Sequence, residues 1–146
     1  MMDPDLPIET TLNVRDRCLC LSVQRAARAL ARRFDAALKP YGLTNGQFSI
    51  LMSLNRPEPP RISDLAPFLA LDRTTLTAAL KVLERRGLVV TAADPADKRT
   101  RRLSLTEEGR GLLKQALPAW RAAHDALDAD LDADPATLKA MIDAIR

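Results

Sequence analysis

One histidine and two cysteines are all the imidazole and thiol chemistry that this chain carries. Zinc-type centres need a full set of nitrogen and sulfur ligands, and His124 stands alone in an alanine- and aspartate-rich stretch, so it reads as a surface or interface residue. Cys18 and Cys20, spaced C-x-C, cannot staple a whole domain, which excludes a disulfide scaffold. Also missing are a glycine-rich phosphate loop and any nucleophile–base pairing, so an enzyme is not expected and neither is a cofactor. The aspartates at 125, 128, 130, 132 and 134 lack the glycine and terminal glutamate of a calcium loop and read as a solvated face and turn. No apolar run has the length of a membrane span, and Met1-Met2-Asp3-Pro4-Asp5 does not resemble a signal peptide; the expected location is the cytoplasm, without a membrane partner.

What is present is unevenly distributed charge. The chain of 146 residues is long enough to bury one core, and its formal net charge is only +3. Residues 73 to 102 nevertheless hold eight Lys or Arg against three acids, whereas residues 119 to 146 hold six aspartates against three bases. Positive charge gathered in one segment points to nucleic acid more strongly than the total does.

The densest part of that segment is Asp94-Pro95-Ala96-Asp97-Lys98-Arg99-Thr100-Arg101-Arg102. A β-type run, Leu88-Val89-Val90-Thr91, precedes it, and Leu103 and Leu105 alternate with polar residues after it. Two strands with a cationic tip are expected. Upstream, Asp72 is placed to cap a helix in which Leu76, Ala79, Leu80 and Leu83 form one stripe and Gly87 supplies the stop. Thr74, Ala78, Lys81 and Arg85 lie on the opposite side with Thr77 beside them. A helix that enters a major groove needs slender polar residues in its first turns and cations at its flanks, and Arg73, Thr74, Thr75 and Thr77 have that character.

The preceding segment supplies the other half of a helix-turn-helix. Pro57-Glu58-Pro59-Pro60 interrupts one helix, Ser63 is read as the N-cap of the next with Pro67 in or near its first turn, and Ala70-Leu71-Asp72 makes the turn. Before that, the spacing of Cys20, Val23, Ala27, Leu30, Phe34, Ala37 and Leu38 predicts one long helix from about Asn13 to Lys39. Residues 1–12 show no sustained period and read as an arm. Thr44-Asn45-Gly46-Gln47 is a capping-box start for a second helix bearing Phe48, Ile50, Leu51 and Leu54.

In Ile62-Ser63-Asp64-Leu65-Ala66, Leu71 to Thr77, Leu83 to Val89, Asp94 to Arg99 and Leu105-Thr106-Glu107-Glu108-Gly109, the chain resembles the multiple-antibiotic-resistance regulator (MarR) family of bacterial transcription factors. The D-x-R of the wing followed by L-T-x-x-G is the specific part, and looser similarity runs from about residue 15 to the C-terminus. The resemblance implies a mainly α winged helix-turn-helix homodimer that binds double-stranded DNA at pseudo-palindromic operators. It implies a repressor released by a small-molecule effector or by thiol oxidation. It also implies that Arg99 enters the minor groove and that Asp97 orients it, which agrees with the attraction of arginine to a narrow minor groove. The DNA-binding set is then Ser63, Arg73, Thr74, Thr75, Thr77, Lys81, Asp97, Lys98, Arg99 and Arg101. Many relatives carry a basic residue after the recognition threonines, where this chain has Ala78-Ala79.

The expected organisation is an arm over 1–12, a helical dimerisation region over 13–40 and 107–146, and the winged helix-turn-helix over 41–106. Thr106-Glu107-Glu108 starts a long helix, Pro118 is expected to bend it, and Asp134-Pro135 starts a last one with Leu138, Met141, Ile142 and Ile145 on one stripe. That stripe, with the first helix, is read as a two-fold interface matching a two-half-site operator. Cys20 falls on the apolar stripe of the first helix and reads as a small buried hydrophobe. Cys18, between Arg17 and a face bearing Arg25, is the candidate for redox or soft-metal sensing. Trp120 and Tyr41 read as core rather than as a pocket lining.

Overall fold

Cys18 divides the long helix expected over residues 13–39. In the computed structural model, which describes residues 1–145, α1 spans Ile8–Arg17 and α2 spans Leu19–Leu38. Helix therefore extends into the segment read as an arm. Between the two, Cys18 is extended at φ −71° and ψ 96°, and its Sγ accepts the Leu21 N–H at 3.3 Å. The thiol thus serves as a weak N-cap for α2, a role sequence periodicity does not register. After a 3-10 turn at Lys39–Tyr41 come α3 (Asn45–Ser53), α4 (Ile62–Leu69), α5 (Arg73–Arg85), β1 (Val89–Ala93), β2 (Arg101–Leu105), α6 (Glu107–Asp130) and α7 (Pro135–Asp143). The helical region expected to end at 146 runs one residue past the described part. Among the described residues, no helix is long and apolar enough to cross a membrane.

The chain divides into two compact units, residues 1–33 and 34–146. The first contains α1 and most of α2, and its apolar side chains, among them Leu19, Leu21, Val23 and Leu30, are exposed.

In the second unit, leucines from every layer meet in one core. Leu38, Leu51, Leu65, Leu76, Leu83 and Leu103 are its largest fully buried side chains, so α3, α4, α5 and the hairpin share a single apolar interior. Thr44 begins α3 with the expected capping box, its side chain accepting from Gln47 N–H at 3.2 Å while Gln47 Oε1 accepts from Thr44 N–H at 3.1 Å. The start of α4 differs from expectation. Arg61, not Ser63, is its N-cap residue, and Asp64 accepts the Arg61 N–H at 2.9 Å. Pro67 consequently lies inside the helix, where it cannot donate to the Ser63 carbonyl; an eight-residue helix tolerates this because it ends two residues later, at Leu69. Ala70 closes α4 in the left-handed region at φ 53°, a position that glycine fills at less cost.

β1 and β2 pair antiparallel with Val89 opposite Leu105 and Ala93 opposite Arg101. Arg101 and Arg102 are therefore strand residues rather than part of the tip. The L-T-x-x-G segment joins this hairpin to α6. Thr106 Oγ1 donates to the Gly87 carbonyl at 2.6 Å and accepts the Gly109 N–H at 3.0 Å. Gly109 is the position where no side chain fits, since a Cβ would fall 2.2 Å from the Leu88 carbonyl oxygen. α6 continues through Pro118 to Asp130 as one helix, and α7 begins as expected, with Asp134 accepting the Thr137 N–H at 2.9 Å. Met141, Ile142 and Ile145 remain exposed.

Candidate nucleic-acid interface

The first turn of α5 is fixed by Asp72. Its carboxylate accepts the Thr75 N–H at 2.7 Å and the Thr75 hydroxyl at 2.9 Å, and the Thr75 N–H bond above all holds its pKa below the usual carboxylate value. A negative group at this end also complements the helix dipole. With Leu76, Leu80 and Leu83 in the core, the opposite face presents Arg73, Thr74, Thr77, Ala78 and Lys81 as one shallow open surface. Thr75 is exposed but lies outside that surface, and its proton is committed to the cap. Thr75 and Thr77, both in the expected DNA-binding set, therefore have different surroundings.

A second recess, of about 180 Å³, gathers residues from three elements: Arg61 and Ser63 at the start of α4, Arg73 at the start of α5, and Arg99, Thr100 and Arg101 of the wing. Thr77, Lys81 and Arg101 also line a third groove, together with Glu84, Thr91 and the apolar Ile62, Leu80 and Leu103. Ser63 and Arg101, 38 positions apart, thus line one cationic channel with Arg73 at the start of α5. Such a channel matches the phosphate backbone in charge and the groove edge in its small hydroxyls. Lys98 is exposed at the tip, outside these recesses.

Asp97 lies in the loop between β1 and β2. Its Oδ1 accepts the Arg99 backbone N–H at 3.0 Å and its Oδ2 accepts the Thr100 hydroxyl at 3.2 Å. It shapes the loop that carries Arg99. The ion pair of the wing is made instead by Asp94 and Arg102, with Nε donating to Oδ2 at 2.9 Å and Nη2 2.8 Å from the same oxygen. Asp94 also accepts the Ala96 N–H at 2.9 Å; that bond first, then Arg102, holds its pKa down.

A family model described as MarR family matches residues 43–100. The solved structure of the Mycobacterium tuberculosis regulator MosR in complex with DNA is 38% identical, with a TM-score of 0.79, over 88% of this chain and 93% of that one. The chain belongs to the MarR family. The repressor CouR bound to a 23-mer DNA duplex is 30% identical, TM-score 0.82, over 90% of this chain and 94% of that one. CouR from Rhodococcus jostii has also been solved with p-coumaroyl-CoA, at 27% identity and TM-score 0.72, over 88% of this chain and 89% of that one. The transcriptional regulator TtmR of Methylorubrum extorquens is 38% identical over 97 residues, 66% of this chain, and the match spans half of TtmR's own length.

The MarR match takes in α3, α4, α5, β1 and the loop that follows it, and stops one residue before β2. Two residues of the helix-turn-helix and wing region escape sequence reading. Arg61 looks like a loop residue after the prolines, although a basic side chain just before a helix-turn-helix is a usable signal. Arg102 looks like one more wing cation, and only the fold shows its partner. Cys18 and Cys20 lie in the first unit, Cys18 half-buried and Cys20 exposed, the reverse of the expected order; Cys20 Sγ accepts from Gln24 Nε2 at 3.1 Å. His124 packs against Trp120 and Phe34 at ring distances of 5.0 and 5.7 Å, with Nδ1 3.3 Å from Asp128, and Trp120 stacks on Phe48.

Proposed function

We propose that this MarR-family protein is a sequence-specific DNA-binding regulator, acting in the cytoplasm as a repressor and binding a pseudo-palindromic operator as a homodimer. The convergence of Ser63, Arg73, Arg99 and Arg101 on one recess beside the α5 surface of Thr74, Thr77 and Lys81 supports this reading. Residues 41–106 are the DNA-binding region. Residues 13–40 and 107–146 are the dimerisation region, supported by the exposed Leu19, Leu21 and Val23 in one unit and Met141, Ile142 and Ile145 in the other. MosR and CouR, both solved on DNA, support the same assignment.

Release by a small-molecule effector is part of the proposal, supported by the structure of CouR with p-coumaroyl-CoA. The test of the DNA reading is a fluorescence-anisotropy titration against a duplex selected by the protein from a randomised pool, repeated across a salt series. Affinity should fall steeply and linearly in log[salt], because each phosphate neutralised releases counterions. Binding that is absent, or indifferent to salt, would remove the reading.

A second reading keeps the DNA site and changes the signal. The sulfur of Cys18 is the acceptor that starts α2, so peroxide that oxidises this thiol to a sulfenic acid, itself reduced to water, would alter a helix end. Peroxide sensitivity of DNA binding that is lost in Cys18→Ser and kept in Cys20→Ser would establish this signal in place of a small effector. Unchanged binding after peroxide is the result expected from the leading reading.

A further inference from the structure

Arg102 sends its donors in two directions. Nε and Nη2 go to Asp94, while Nη1 donates to the Pro59 carbonyl at 2.9 Å, 43 residues away in sequence. Beside it, the Leu103 N–H donates to the Pro60 carbonyl at 2.9 Å, and Arg61 bridges to Arg102 as an isolated antiparallel pair. β2 is therefore held on one edge by β1 and on the other by residues 59–61, the last of which is the N-cap of α4. Asp94 is 7% exposed and Arg102 keeps about a third of its side chain accessible, at 32%.

We propose that Asp94 and Arg102 form a positioning pair that locks the wing to the start of the helix-turn-helix, and that Arg102, unlike Arg99 and Arg101, does not contact DNA. The inference rests on the DNA-binding reading above. Its physical basis is the placement of the recess: Arg99 and Arg101 come from the wing, Ser63 and Arg61 from α4, and the segment joining them passes through the Arg102 guanidinium. Only a planar fork can satisfy Asp94 and the Pro59 carbonyl together, since an ammonium on a flexible stem does not reproduce that geometry. Loss of the fork frees the hairpin to swing, and the cations at its end then meet the duplex in many orientations instead of one.

The experiment compares wild type, Arg102→Lys, Arg102→Gln, Asp94→Asn, the Asp94→Asn/Arg102→Gln double variant and Arg99→Ala on the pool-selected duplex across salt, with circular dichroism confirming the fold. A positioning pair predicts that Arg102→Lys weakens binding about tenfold while leaving the salt slope within about half a unit of wild type. Arg99→Ala lowers that slope by about one. The double variant binds no worse than the weaker single variant, because the two residues act as one unit. Hydrogen exchange supplies a readout independent of DNA: the Leu103 amide exchanges faster in Arg102→Lys while the Leu80 amide of α5 is unchanged. Full retention of affinity in Arg102→Lys with a lowered slope in Arg102→Gln would make Arg102 a phosphate contact and overturn the proposal, as would multiplicative losses in the double variant. Absence of salt-dependent binding in the wild type, seen before any variant is compared, would instead remove the DNA reading itself.

Discussion

The Thr75 hydroxyl donates to the same Asp72 carboxylate that accepts the Thr75 N–H, at 2.9 and 2.7 Å. Two neighbours in the first turn of α5 are thereby spent on holding the helix end, and the exposed threonines divide into different kinds. Thr77, half-buried on the channel-facing side, is free to meet a base edge; Thr75 is not. Thr77→Ala should narrow the gap between selected and random duplex by about 1 to 3 kcal/mol. Thr75→Ala should leave that gap almost intact, while Asp72→Ala should lower the Tm by roughly 2 to 4 °C through loss of the cap. Competition titrations and thermal melts on the three variants check the division. Equal loss of discrimination in Thr75→Ala and Thr77→Ala would refute it.

Arg99 and Asp97 separate in a similar way. If Arg99 offers its charge to the groove, Arg99→Ala should weaken binding to all sequences and reduce the salt slope by about one unit. Asp97 holds the Arg99 N–H and the Thr100 hydroxyl, so Asp97→Ala should loosen the loop and weaken binding at an unchanged slope. A salt series on both variants distinguishes lost charge from lost loop geometry.

Much of this site is legible in sequence because its signals are local. The Thr44 capping box, the Asp72 cap, the leucine stripe of α5 and the alternation around Leu103 and Leu105 all sit within a few residues of the structure they specify. What escapes is of two kinds. Cys18 breaks a helix with neither proline nor glycine, by a sulfur accepting the Leu21 N–H, and no periodicity records that bond. Arg102 finds the Pro59 carbonyl 43 residues away, a contact that exists only once β2 lies beside the loop before α4. Ser63 was displaced as N-cap for a simpler reason: Asp64 reaches back to the Arg61 N–H, so the helix starts earlier than its serine suggests.

Gly109 is required by contact rather than by backbone angle. A Cβ there would overlap the Leu88 carbonyl oxygen, which is itself engaged by the Thr106 N–H at 3.1 Å. Neither backbone can retreat without breaking the junction between α5, the hairpin and α6. Gly109→Ala should therefore cost about 3 kcal/mol or more, read as a fall in urea midpoint. Gly111→Ala, where a Cβ meets nothing within 4 Å, should stabilise slightly, since helix interiors favour alanine over glycine.

Five aspartates share a depressed pKa: Asp35, Asp64, Asp72, Asp94 and Asp134. Asp35 owes it first to the Asn45 N–H, Asp64 to the Arg61 N–H, and Asp134 to the Thr137 hydroxyl. Because each folded-state value lies below the ordinary 3.8, the unfolded chain binds protons first on acidification. Their stabilisation is complete above the unfolded value and is lost as pH falls through the folded values. Tm should be flat above about pH 5.5 and drop progressively below about pH 4.5. In Asp94→Asn the melt at neutral pH should be lower and its fall on acidification shallower. An acid limb identical to wild type would show that the wing carboxylate takes no part.

The proposed homodimer has a candidate surface at α7 and just beyond it. Met141 and Ile142 on α7 and Ile145 just past its end are 66, 48 and 56% exposed in the single chain, apolar surface that a partner would cover. If a second copy does so, Ile142→Asp places a carboxylate against apolar side chains with no donor to receive it, at a cost of several kcal/mol. Sedimentation at micromolar concentration should then find wild-type dimer and Ile142→Asp monomer, with an unchanged circular-dichroism spectrum if the fold of the second unit is intact. The same variant should lose the second half-site: its affinity for a full selected duplex should fall to that for a single half-site, because linkage of two heads on one operator disappears. A dimer that survives Ile142→Asp with full operator affinity would exclude α7 from the interface and leave the apolar side chains of the first unit as the surface to test.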